Sequence, residues 1–210
     1  MLITEIFKSI QGESSYAGLP CSFIRTTGCN LRCTWCDTAY AFHGGKEMSI
    51  PEILQAIEPY RCELVEITGG EPLLQPDVSE LSERLLQKDY TILLETSGAL
   101  DISTVPSEVI KIMDIKCPDS GMMHEMKWEN LEKLTPRDEI KFVINSRTDY
   151  DWSVKMLYDY HLYRQNLVLF SPVYQKMSPQ QLAEWILEDN LPVRFQVQLH
   201  KVLWGETPGR

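Results

Sequence analysis

Three cysteines within eight residues, Cys29-Asn-Leu-Arg-Cys33-Thr-Trp-Cys36, constrain this chain more than any other feature. The C-x3-C-x2-C spacing packs three thiols into one loop, and thiolates are the usual protein ligands of iron–sulfur clusters. Three protein ligands leave a fourth iron open to a small molecule. Four of the six cysteines, Cys21 included, fall between positions 21 and 36. Such clustering favours metal binding over disulfides. On spacing alone, a closed zinc site remains an alternative, with Cys21 or His43 as the fourth ligand. Cys62 and Cys117, and Cys21 if it is not a ligand, read as small buried residues.

The rest of the chain alternates between two periods. Apolar runs at 21–26, 64–68, 91–96, 109–115, 140–144, 167–170 and 193–197 have the length and composition of buried strands. Helical stretches lie between them. Ser49-Ile-Pro-Glu52 has the form of a capping box with proline in the first turn, followed by Ile53, Leu54 and Ile57 at helical spacing. Val78, Leu81 and Leu85 mark a second helix; Val154, Leu157, Tyr158 and His161 a third; Leu182, Trp185 and Ile186, after Ser178-Pro179, a fourth. Alternating strands and helices predict an α/β fold with a parallel sheet whose strand C-termini gather at one end. About six parallel strands are too few for a closed eight-fold barrel. The expected architecture is therefore one domain over 1–210, an open partial (β/α) barrel with the cysteine loop after its first strand. Gln11 and Glu13 fall before that strand.

Composition narrows the function. A net charge of −10 repels polyphosphate, so nucleic acid is not expected as a direct substrate. No apolar run approaches the ~18 residues that cross a bilayer. The N-terminal segment lacks the pattern of a signal peptide, so a cytoplasmic location is expected.

A second motif, Gly69-Gly70-Glu71-Pro72, directly follows the strand at 64–68. The cysteine spacing with an aromatic residue, Trp35, before the last cysteine resembles the radical S-adenosylmethionine superfamily. Gly-Gly-Glu-Pro resembles that superfamily's motif for the methionine amino group. The resemblance implies a 4Fe-4S cluster on Cys29, Cys33 and Cys36. It implies S-adenosylmethionine on the open iron, with Gly69, Gly70 and Glu71 accepting hydrogen bonds from its ammonium. Thr96 and Ser97 in Glu95-Thr-Ser-Gly98, and Lys116 in Asp114-Ile-Lys116, end the next two strands and would complete the cofactor site.

A closer resemblance covers most of the chain. Gln11-Gly-Glu13, Phe23-Ile-Arg25, Cys36-Asp-Thr38, Phe170-Ser-Pro-Val-Tyr174 and Gln198-Leu-His200-Lys201 are similar to the 7-carboxy-7-deazaguanine synthase family. That resemblance implies conversion of 6-carboxy-5,6,7,8-tetrahydropterin to 7-carboxy-7-deazaguanine with ring contraction and loss of ammonia. Gln11, Glu13, Arg25, Gly70 and His200 would bind the pterin. Arg25 suits a carboxylate, which a guanidinium pairs bidentately. Thr38 would offer its hydroxyl to a magnesium ion, which takes few protein ligands. Ser171 and Tyr174 would lie along the adenosine. No side chain is assigned a catalytic role, because the cofactor carries the hard chemistry. The implied partners are a flavodoxin- or ferredoxin-like one-electron donor and a second copy of the chain. The family's site can also use the chain's own terminal carboxylate, and here the tail departs from that pattern: Val202 to Arg210 is longer than in the shortest members. A glycyl-radical activase would share the cysteine spacing, but would have no use for the pterin-site motifs.

Overall fold

The computed structural model describes residues 1–207 and 209. One nine-stranded sheet organises them, in the order β3-β1-β2-β4-β5-β6-β7-β8-β9. Strands β2 (Pro20–Thr26), β4 (Leu64–Gly69), β5 (Thr91–Thr96), β6 (Ile110–Ile115), β7 (Glu139–Ile144), β8 (Leu167–Pro172) and β9 (Arg194–Phe195) pair in parallel. The sheet does not close, so the expected partial barrel is the architecture found, with seven parallel strands rather than six. The last strand is two residues long, not the five expected, because its pairing with β8 covers only Leu169 and Phe170.

The unforeseen part is an antiparallel edge. Strand β1 (Leu2–Ile10) pairs antiparallel with β2, and β3 (Lys46–Glu47) pairs antiparallel with β1. Leu2–Ile10 mixes Thr, Glu, Lys and Ser with apolar residues, the pattern of a strand with one face exposed rather than of a buried parallel strand. Gln11 and Glu13 therefore do not precede the first strand. They sit in the turn that leads from β1 into β2, at the end of the barrel where the parallel strands begin, since Ile10 pairs with Pro20 and the Ser15 N–H donates to Glu139.

Helices cover the outer face. α1 (Ile50–Ile57) carries the full capping box: Ser49 accepts from the Glu52 N–H, and the Glu52 carboxylate accepts from the Ser49 N–H. Ser49→Ala is expected to cost about 1 kcal/mol of stability, read as a small fall in the denaturant midpoint at unchanged slope. α1 and α2 (Val78–Leu86) bury Ile53, Ile57, Leu81 and Leu85 against Ile24, Val65, Ile67, Ile92 and Leu94. α3 (Arg147–Asp159) and α4 (Pro179–Glu188) bury Tyr150, Leu157, Leu182 and Ile186 against Ile140, Phe142, Val168 and Phe170. Alternation along a strand sends the intervening residues inward. Cys21, Phe23, Leu64, Leu93, Ile110 and Ile112 form an apolar floor inside the barrel. Above that floor the inward positions turn polar: Arg25, Glu66, Thr68, Glu95, Asp114 and Lys141. This switch from apolar floor to charged wall creates the site.

Candidate active site

One cavity of ≈ 620 Å³ opens at the C-terminal ends of the parallel strands. It is lined by Cys29, Cys33, Cys36, Thr38, Gly69, Gly70, Thr96, Ser97, Lys116, Tyr174, Gln11, Glu13, Arg25 and His200, so nearly every residue singled out from the sequence faces one space. Glu71 and Ser171 are not on its wall.

The cysteine loop follows β2. Its backbone is pinned by a Cys36 N–H to Cys33 carbonyl bond of 3.3 Å and, across the barrel mouth, by Thr34, whose N–H and hydroxyl donate to the carbonyls of Ser120 (3.1 Å) and Asp119 (2.8 Å). Burial raises all three thiol pKa values, and Lys116 pulls that of Cys33 the other way. Among the described residues, no three His, Cys, Asp or Glu side chains converge closely enough to hold one metal ion. Thiols spread along a shared wall suit a cluster, in which each thiolate takes its own iron. Cys21, Cys62 and Cys117 are buried in the core, as expected, with Cys21 fully enclosed.

The Gly-Gly-Glu-Pro segment works differently from the expectation. A Cβ on Gly70 would overlap the Gly28 carbonyl and sit 2.7 Å from Cys29 Cβ; one on Gly69 (φ +152°) would sit 2.8 Å from the Thr26 nitrogen. The glycines let this turn close on the chain's own cysteine loop, and the Glu71 N–H donates to the Gly28 carbonyl at 2.9 Å. Glu71 does not offer its carboxylate to the cavity. It is fully buried and accepts from the Leu73 N–H (3.1 Å), the Thr96 hydroxyl (2.9 Å), the Ser97 N–H (2.8 Å) and the Ser97 hydroxyl. It ties the turn after β4 to the end of β5.

Ser171 is 2 % exposed within β8 and is not on the cavity wall, while Tyr174 in the following loop lines it. Tyr174 lies 5.8 Å from Lys201 Nζ, which reaches Asp37 at 3.3 Å. Asp37 in turn accepts from the Thr38 hydroxyl at 2.8 Å, leaving the lone pairs of Thr38 free for a cation. Helix α5 (Leu199–Trp204) thus braces the cysteine loop through Lys201. Gly12 explains the placement of His200, since a Cβ there would sit 2.8 Å from His200 Cγ and the Gly12 carbonyl accepts from the Leu199 N–H. Of the tail, Glu206 reaches the cavity wall; the Arg210 carboxylate lies outside the described residues.

On the side away from the cysteines the wall is a charge network. Arg25 donates to Glu5 at 2.7 Å and lies between the rings of Phe7 and Tyr40. Gln11 accepts from the Glu13 N–H and donates to Glu66. Burial, with Glu95 nearby, pushes the Glu66 carboxyl up to about 8. Lys141 reaches Glu13 at 2.6 Å, Glu95, and Asp114 at 3.3 Å; Lys116 reaches Asp114 at 3.0 Å. Burial opposes charge on Asp114, and Lys116 and Lys141 outweigh it, holding the carboxyl below its ordinary value. Asp114 Oδ1 is buried and has no partner within the described residues, so the wall offers a ligand one unsatisfied acceptor.

Lys141 and Glu66 drew no notice in the sequence. Their signal was present: a charged residue inside an otherwise apolar, fully buried strand, as in Glu139-Ile-Lys141-Phe and Leu64-Val-Glu66-Ile, has to point into a polar cavity.

Residues 23–186 match the Radical SAM superfamily. Over its full length the chain is 47% identical to a 7-carboxy-7-deazaguanine synthase from Koribacter versatilis, which it also covers in full. It is 42% identical to one from Chlorobaculum tepidum over 97% of this chain and 94% of that one. The chain belongs to the 7-carboxy-7-deazaguanine synthase family. Its fold is shared with the crystal structure of QueE from Escherichia coli, with a TM-score of 0.79 at 24% identity over 95% of this chain and 94% of that one. Membership brings the 4Fe-4S cluster and S-adenosylmethionine to the cavity just described, and the donor set fits them. Three thiols, an uncommitted acceptor on Asp114 and a lysine beside Cys33 share one wall.

Proposed function

We propose that this chain converts 6-carboxy-5,6,7,8-tetrahydropterin to 7-carboxy-7-deazaguanine and ammonia. The observation that supports it most is the joining, in one cavity, of the three-cysteine loop to the charged wall of Glu13, Arg25, Lys141 and His200. An enzyme acting on a protein chain would need an open groove; this wall suits a small, polar, carboxylate-bearing ring.

The cluster and S-adenosylmethionine, when bound, supply one-electron chemistry that ends in removal of a hydrogen atom from the substrate. The chain's part is to bind, orient and exclude water, which is worth most when reacting atoms are held in near-attack geometry. Cys29, Cys33 and Cys36 hold the cluster. Gly70 keeps the turn after β4 against that loop, and Thr96, Ser97, Lys116 and Tyr174 line the cofactor half. Arg25 pairs with a substrate carboxylate, while Gln11, Glu13 and His200 meet the ring. Thr38 gives its hydroxyl to a magnesium ion. The proposal includes an external one-electron donor of the flavodoxin or ferredoxin kind and a homodimer, both supported by the family resemblance.

Anaerobically reconstituted protein, given dithionite, S-adenosylmethionine, magnesium and 6-carboxytetrahydropterin, is expected to form 7-carboxy-7-deazaguanine, detected by mass spectrometry. Release of 5′-deoxyadenosine without deazaguanine would sink the substrate assignment and leave the superfamily chemistry standing.

A further inference from the structure

The family's motifs leave one buried cation of the cavity wall unused. We propose that Lys141 is the positioning residue of the pterin half of the cavity, acting through Glu13; the proposal rests on the synthase reading above.

Lys141 sits inward on β7, 3 % exposed, with three carboxylates around its ammonium. Glu13 comes from the turn after β1 at 2.6 Å, Glu95 from β5, and Asp114 from β6 at 3.3 Å. An ammonium has three donors, and here each meets a carboxylate from a different element. The three are not equally dependent on it. Asp114 keeps a second cation, Lys116, at 3.0 Å. Glu95 keeps only a weak 3.4 Å bond from the Thr68 hydroxyl. Glu13 keeps only the neutral amide of Gln198, at 2.7 Å. Its other facing groups are Glu66, Glu95 and His200. Burial holds the His200 imidazole below its ordinary value, so at neutral pH Lys141 is the cation that Glu13 meets.

Loss of that cation therefore falls on Glu13. Burial alone would push its carboxyl pKa up; the Lys141 ammonium is the largest influence that opposes burial, and the pKa stays below the ordinary value. Without Lys141 the carboxyl takes up a proton, loses its aim, and offers a donor where the substrate site had an acceptor.

The test is pterin binding by calorimetry across pH 6–9 on wild type, Lys141→Met, Lys141→Arg, Glu13→Gln and the Lys141→Met/Glu13→Gln double variant. Wild-type binding comes first; its absence sinks the synthase reading itself. Given binding, K141M is expected to weaken it about tenfold at pH 7, roughly 1.4 kcal/mol. Part of that loss returns at pH 9, where the stranded Glu13 ionises again. E13Q should weaken binding without the pH recovery, and the double variant should be no weaker than E13Q, because the two residues act as one unit. K141R is expected to retain most of the affinity. Affinity for S-adenosylmethionine should change less than about threefold, since Asp114 keeps Lys116. If K141M does not fold, Lys141→Met/Glu95→Gln removes the second stranded carboxylate and is expected to show the same pH recovery. Wild-type affinity in K141M, or penalties that add in the double variant, would overturn the proposal.

Discussion

Cys33→Ala is expected to remove the cluster's broad visible absorbance, 5′-deoxyadenosine release and deazaguanine formation together. The fall in turnover should exceed ~10³-fold, because the cofactors carry the chemistry and the chain has no substitute for them. The cause is local. Two thiolates cannot replace three, and no neighbouring thiol is free to step in, since Cys21 and Cys62 are buried in the core and Cys117, which borders the cavity, is 1 % exposed with its thiol against the Ser153 hydroxyl. The fold should survive. Cys33 is only half-buried, and the loop is held by backbone bonds at Cys36 and Thr34 that the substitution leaves intact. The melting temperature of the apoprotein should therefore move by no more than ~2 °C. Cys21→Ala supplies the converse. It leaves a void in the apolar floor beneath the site and is expected to cost about 1 kcal/mol of stability, with the cluster retained. A Cys33→Ala protein that still cleaves S-adenosylmethionine would refute the ligand assignment.

The difference between those cysteines was legible in the sequence, and so was most of the parallel sheet. The buried strand Leu167–Pro172 opens on four consecutive apolar residues, Thr91–Thr96 holds three at its centre, and the capping box at Ser49 fixes where a helix begins. What escaped was whatever depends on contact between distant segments. Strand β1 is half polar because β3 covers only Leu2 and Ile3 on its outer side, and its period is blurred where the register with β2 shifts between Ile3 and Glu5. Lys141 reads as one lysine in a strand until β5 and β6 bring Glu95 and Asp114 beside it. Motifs located the site well, yet motif identity did not say which way a side chain turns. Glu71 lies in a motif segment, and its carboxylate turns away from the cavity to bond Leu73, Thr96 and Ser97.

Glu71 shows what that turning does. Glu71→Ala is expected to lower stability by about 3 kcal/mol and to abolish detectable S-adenosylmethionine binding, although the side chain lines no part of the cavity. Its carboxylate gathers two backbone N–H groups, at Leu73 and Ser97, and the hydroxyls of Thr96 and Ser97. Alanine leaves those donors buried without partners, and hydroxyls can rotate to new acceptors more readily than N–H groups can. Bonds to a charged acceptor are the stronger kind, so their loss is felt twice, in stability and in position. Position matters because the same turn carries Gly70 against Cys29, while Thr96 and Ser97 reach the cavity from the other side. Freed from Glu71, the ends of β4 and β5 no longer present one surface to the cofactor. Glu71→Gln separates the two consequences. Its amide oxygen keeps an acceptor for the N–H groups while its NH2 turns toward hydroxyls that can accept, so most of the stability should return. Cofactor binding should recover only in part. A Glu71→Ala protein with wild-type melting temperature and cofactor affinity would show that the turn is held by its glycines and backbone alone.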